Sequence, residues 1–110
     1  MSIQLQKLSI KAKFFRGLGD PTRLSILETL REGEKITSEI VKKTGQSQSN
    51  VSNHLSCLLD CGLVTNRRVG KNIFYKLSNK KIIKLLEESD AILSDFAHGI
   101  YSCINYNEAI

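Results

Sequence analysis

The chain of 110 residues has no tryptophan, one proline and three cysteines, and its middle is almost free of acid. It lacks any apolar run approaching a bilayer span, and the segment after Met1 has no apolar stretch of the signal-peptide kind. A soluble, cytoplasmic protein without membrane partners is expected. In that compartment an odd number of cysteines points to thiols or metal ligands rather than structural disulfides. The sequence offers no phosphate-binding loop, no glycine-rich oxyanion turn and no third group to orient His54 or His98, so it does not read as an enzyme. No repeat, low-complexity segment or linker interrupts it, which leaves one domain over residues 1–110.

The scarcity of acid is local. Between Glu39 and Glu87 the only acidic residue is Asp60, against Lys42, Lys43, Arg67, Arg68, Lys71, Lys76, Lys80, Lys81 and Lys84, within a formal net charge of +5. A basic block between more acidic flanks is the footprint of a protein that binds a phosphate backbone. A merely solvated basic face carries the same pattern, and charge alone does not separate the two.

Hydrophobic spacing supplies the architecture. Leu5, Leu8, Ala12, Phe15 and Leu18 predict an amphipathic helix over Ile3–Leu18. Asp20-Pro21 opens a second helix, with Leu24, Leu27 and Leu30 inward and a stop at Gly33. Thr37 caps a short helix bearing Ile40 and Val41, which breaks at Gly45. Ser47 caps the next, whose inward face is Val51, Leu55, Leu58 and Leu59. Two helices joined by a tight glycine turn make a helix-turn-helix over about 37–62. Leu63–Val69 and Ile73–Leu77 then flank Gly70-Lys71-Asn72 as a β-hairpin, a wing over about 63–78. Ser78 or Asn79 caps a last helix, about 79–104, carrying Ile82, Leu86, Leu93, Phe96, Ala97, Ile100 and Ile104. The fold class is mainly α with a small β-hairpin, a winged helix-turn-helix. The first and last helices carry more apolar surface than a small core absorbs, so dimerisation through both is expected, presenting two reading helices to a palindromic site.

Ser47, Gln48, Ser49, Asn50, Ser52, Asn53 and His54 are the candidate base- and backbone-facing residues of the second helix, because Asn and Gln can pair bidentately with adenine. Lys42, Lys43, Arg67, Arg68 and Lys71 are candidate phosphate contacts. His54 reads first as a DNA-side residue or a partner within the helix pair, and metal ligation is a further geometric option. Cys57 and Cys61, four apart, stack on one helical face and can converge on one soft metal ion, or serve as small apolar residues. Cys103 stands near the C-terminus.

The stretch Gly19-Asp20-Pro21-Thr22-Arg23-Leu24-Ser25-Ile26-Leu27 resembles the opening of the ArsR/SmtB family of winged-helix metalloregulators. Ser47-Gln48-Ser49-Asn50-Val51-Ser52-Asn53-His54-Leu55 is similar to its reading helix, and Cys61-Gly62-Leu63-Val64 to the entry of its wing. The resemblance spans about residues 8 to 104. Within the family, Ser49 to Leu58 with Cys61-Gly62-Leu63 resembles the cadmium- and lead-sensing CmtR type. That resemblance implies a repressor that binds operator DNA as a metal-free homodimer and lets go when Cd(II) or Pb(II) binds Cys57, Cys61 and Cys103, the last reaching across the dimer. Other sites of the family lack their residues: there is no Cys-x-Cys pair around Ile36 to Val41, and Asp90, Asp95 and His98 have no downstream His-x-x-His. Three thiolates suit large soft cations. Zinc, which prefers a fourth ligand, is a further candidate, and arsenite also takes three thiols. A repressor of the same fold answering to thiol oxidation or reactive sulfur, with Cys103 bridging to Cys57 or Cys61, is the alternative signal.

Overall fold

Ser2 opens the chain's first helix by accepting the Leu5 N–H at 3.2 Å, and α1 runs Ile3–Leu18. The computed structural model describes the backbone of residues 2–109 and the side chains of residues 2–96. The elements that follow are α2 (Pro21–Leu30), β1 (Lys35–Ile36), α3 (Thr37–Thr44), α4 (Gln48–Asp60), β2 (Val64–Val69), β3 (Asn72–Leu77) and α5 (Lys80–Ala109). The chain falls into two compact units, Met1–Asn79 and Lys80–Ile110.

In the first unit, Ile26, Leu27 and Leu30 of α2, Ile40 of α3, and Val51, Leu55 and Leu58 of α4 are buried, together with Leu63, Val64, Tyr75 and Leu77 from the sheet and its approach. Burying each such aliphatic side chain contributes roughly 1.5–3 kcal/mol. The α2 face differs from the expected one: Ile26 is fully buried, whereas Leu24 is 36% exposed. A row of threes, 24-27-30, drifts around a helix of 3.6 residues per turn, and the tighter set 26-27-30 wins. Leu27 and Leu30 keep the expected side.

Helix ends follow local chemistry. The Asp20 carboxylate accepts the Arg23 N–H at 2.9 Å, and Pro21 sits where a helical N–H has no partner to lose. Ile36, not Thr37, is the cap position of α3; its N–H donates to the Glu39 carboxylate at 3.0 Å. Gly45 closes α3 at φ +71°, a left-handed geometry that costs other residues about 1–2 kcal/mol. Ser47 then accepts the Asn50 N–H at 3.1 Å and starts α4.

The hairpin turns through Gly70 at φ +60° and Lys71, with Val69 opposite Asn72. A glycine at the first of two turn positions gives a turn whose twist matches the strands. The sheet has three strands in the order β1-β3-β2, one more than the expected hairpin. Lys35 pairs with Tyr75 and Ile36 with Phe74. Two residues carry no readable period, and β1 exists because β3 offers it an edge. By strand alternation Val64, Asn66 and Arg68 share a face with Ile73, Tyr75 and Leu77, and Thr65 and Arg67 share the other with Phe74 and Lys76.

The second unit is α5, 30 residues long and so about 45 Å from end to end. Ile92, Leu93 and Phe96 are exposed on it. The expected apolar positions beyond residue 96, with His98 and Cys103, lie outside the residues whose side chains are described. In α1 the expected stripe is likewise solvent-facing: Leu5, Leu8 and Phe15 are exposed, and only Gly17 is buried.

Candidate nucleic-acid interface and thiol cleft

Capping by Ser47 and burial of Val51, Leu55 and Leu58 fix the rotation of α4, which turns Gln48, Ser49, Ser52 and Asn53 to solvent. Gln48 and Ser52 line a groove shared with Thr37 and Ser38 of α3 and with Lys71, Asn72, Ile73 and Tyr75 of the wing. The groove is polar on the helix side and cationic at the wing tip. Lys42 and Arg68 are exposed as well.

Other predicted contacts are already engaged. Asn50 donates to the Gln46 side-chain oxygen at 2.8 Å, and the Ser47 and Ser49 hydroxyls lie 3.4 Å apart. Lys43 reaches the Glu32 carboxylate at 3.5 Å, an exposed pair of little energetic weight. His54 is half-buried, its Nδ1 4.0 Å from the Asp20 carboxylate at the start of α2. The contact is to the cap of α2, outside the α3–α4 helix pair within which a partner was expected. The Arg23 N–H bond holds the Asp20 carboxyl below its usual range, with the charges of His54 and Arg23 acting the same way.

Arg67 is the most committed of the set. Its Nε donates to Glu34 at 2.9 Å and its Nη2 at 2.6 Å, and the guanidinium lies 4.9 Å over the Phe74 ring. The hydrogen bond from Arg67 lowers the Glu34 carboxyl and raises the guanidinium in turn. Glu34 was not among the expected functional residues. It stands 33 positions from Arg67 in a loop without periodicity, so nothing local announces the pair.

The thiols sit at the other end of α4. Cys61 caps the helix, its N–H donating to the Cys57 carbonyl at 2.9 Å, so the four-residue relation is kept. Both are free; Cys57 is exposed and Cys61 half-buried. They line one cleft with Lys13, Arg16 and Gly17 of α1, Arg23 and Asp60. A Cβ added at Gly17 would lie 3.3 Å from Leu63 Cδ1 and 4.0 Å from Cys61 Sγ, so the missing side chain lets α1 close over this cleft. The donor set is two soft sulfurs facing one opening. Among the described residues no three His, Cys, Asp or Glu side chains converge as a complete metal-holding group.

The family model of the arsR family of bacterial regulatory proteins matches residues 20–66. A probable mercury resistance operon repressor of Streptomyces lividans is 41% identical over 92 residues, covering 84% of this chain and 74% of that protein. The chain belongs to the ArsR family. The regulator CmtR of Mycobacterium tuberculosis is 40% identical over 80 residues, 73% of this chain and 68% of that one. The NMR structure of that organism's cadmium metal-sensor CMTR superposes with a TM-score of 0.63, covering 70% of this chain and 80% of that one at 40% identity. The homodimeric winged helix-turn-helix DNA-binding domain Mb0332 of Mycobacterium bovis gives 0.81, at 25% identity over 90% of this chain and 93% of that one. This ArsR-family chain is thus a winged helix-turn-helix of the DNA-binding kind, and its relatives are transcriptional regulators rather than enzymes. No helix among the described residues is long and apolar enough to cross a membrane.

Proposed function

We propose that this protein is a homodimeric repressor that holds a palindromic operator through α4 and the wing and releases it when a soft metal ion, Cd(II) or Pb(II), binds Cys57, Cys61 and Cys103. The observation that carries the reading is one helix with two ends. Its N-terminal half presents Gln48, Ser52 and Asn53, and its C-terminal end presents both thiols to a single cleft. Relatives named as a mercury resistance repressor and a cadmium sensor support a thiophilic inducer, and so does the softness of the donors. The homodimeric neighbour and the exposed Leu5, Leu8, Phe15 and Leu93 support association through the terminal helices.

Phosphate affinity on this reading comes from Lys42, Arg68 and Lys71, and base preference from Gln48, Asn53 and the neighbouring hydroxyls. A bound metal supplies a cross-link between the end of α4 and the segment that brings the third sulfur. Converting a mostly bound operator to a mostly free one takes about 5.5 kcal/mol of preference between the two states.

The test is a titration of a fluorescent operator duplex with and without Cd(II), Pb(II), Hg(II), Zn(II) and arsenite. Cadmium and lead are expected to weaken operator binding, and operator to weaken cadmium binding by the same factor. Equal cadmium affinity with and without operator removes the mechanism. The exposure of Cys57 also favours a second signal, oxidation of the thiols. Intact-mass measurement under native conditions separates them, because a disulfide removes two hydrogens and a bound metal adds its mass less the thiol protons it displaces.

A further inference from the structure

Arg67 and Arg68 are neighbours in sequence and opposites in space. Arg68 lies on the sheet face of Ile73, which borders the groove beside α4, whereas Arg67 lies on the face of Phe74. The sheet order β1-β3-β2 puts Ile36, Phe74 and Arg67 in one row across three strands. Glu34 immediately precedes β1, so the guanidinium of β2 crosses over the Phe74 ring of β3 to meet it. The result is a strap across the sheet, closed by two hydrogen bonds of 2.9 and 2.6 Å. An exposed ion pair alone counts for little, but a bidentate arginine on an aromatic face has a fixed geometry.

We propose that Glu34 holds Arg67 across the back of the wing, making Arg67 a positioning residue and leaving Arg68 and Lys71 as the wing's phosphate contacts. The proposal rests on the reading that the wing meets DNA. For a phosphate to capture Arg67, both bonds to Glu34 and the ring contact would have to be given up. The two hydrogen bonds already answer the charge of Arg67 within the fold, and they lower the Glu34 carboxyl. Lys76, on the same face, adds to the positive field at Glu34 and has to be separated from Arg67 in any test.

Counterion release provides the measurement, since each phosphate neutralised contributes about −0.9 to the slope of log affinity against log salt. The probe is a duplex of arbitrary sequence, because phosphate contacts need no operator. Arg68→Ala should flatten the slope by about 0.9. Glu34→Gln, which frees a cation, should steepen it by up to that amount. The double variant Glu34→Gln/Arg67→Gln should return the slope to the wild-type value, which assigns the freed cation to Arg67 rather than Lys76. A flattened slope in the double variant, or no change in Glu34→Gln, overturns the strap.

A second arm needs no DNA. The Arg67 Nε proton should exchange slowly with solvent in the wild type and rapidly in Glu34→Gln, and it should stay slow when duplex is added. Fast exchange in the wild type, or its appearance on adding DNA, also overturns the proposal. If the wild type fails to bind duplex at all, the DNA reading falls, and the exchange arm still decides the strap.

Discussion

Asp20 stands at a junction, capping α2 through the Arg23 N–H while facing His54 on the reading helix. Its carboxyl is held below the ordinary range, chiefly by that backbone bond. A depressed carboxylate contributes stability that is complete above its unfolded pKa, about 4, and lost as pH falls through the lower folded value. Acid unfolding below about pH 4 should therefore include Asp20. Asp20→Asn keeps a good cap but removes the titration. Thermal midpoints recorded from neutral pH downward should then be less pH-sensitive in the variant; identical profiles would exclude Asp20 as a contributor. The cap was legible in sequence because Asp-Pro is a local signal. Its pairing with His54 was not, since it depends on how α4 lies beside α2.

At the scale of elements, the proposed function divides the labour of α4 along its length. The polar half is one residue type after another able to meet base edges, and the strongest unspent candidates are Gln48 and Asn53, both exposed. Replacing either with alanine should relax sequence preference and cost about 1–3 kcal/mol on the preferred operator, with little change on arbitrary duplex. A uniform loss on both duplexes would instead make the residue a backbone contact. Asn50, tied to Gln46, should contribute less. The bounds of α1 and α4, the glycine turn and the hairpin were readable because period and capping are local properties. β1, the Ile26-centred face of α2 and the Glu34–Arg67 pair depend on partners far along the chain, and no window of sequence contains both ends of such a contact.

At the scale of the molecule, the proposed metal site requires a third sulfur to reach Cys57 and Cys61. Mixed dimers test where it comes from. A Cys57→Ser/Cys61→Ser chain paired with a Cys103→Ser chain retains one complete three-sulfur set only if ligands cross between subunits. The ultraviolet band of a three-sulfur cadmium site should therefore appear at half the wild-type intensity in that heterodimer; the Cys57→Ser/Cys61→Ser homodimer should show no band and the Cys103→Ser homodimer only the weaker band of two thiolates. If the heterodimer lacks the three-sulfur band while a wild-type chain paired with a triple-serine chain keeps one site, all three sulfurs come from one chain and the intersubunit model fails.

The short strand β1 has a mechanical consequence for such a dimer. Ile36 ends β1 and Thr37 begins α3 with nothing between them, while the partner of β1 is the wing's own strand β3. Helix pair and wing are therefore joined at a common root. In the proposed dimer, two such heads on one duplex act as the jaws of a caliper. On the proposed reading, release is then a matter of gauge rather than of jaw shape. The relevant ruler is the helical repeat of about 34 Å between half-sites. A displacement of one base step, roughly 3.4 Å, puts the second jaw out of phase with its groove.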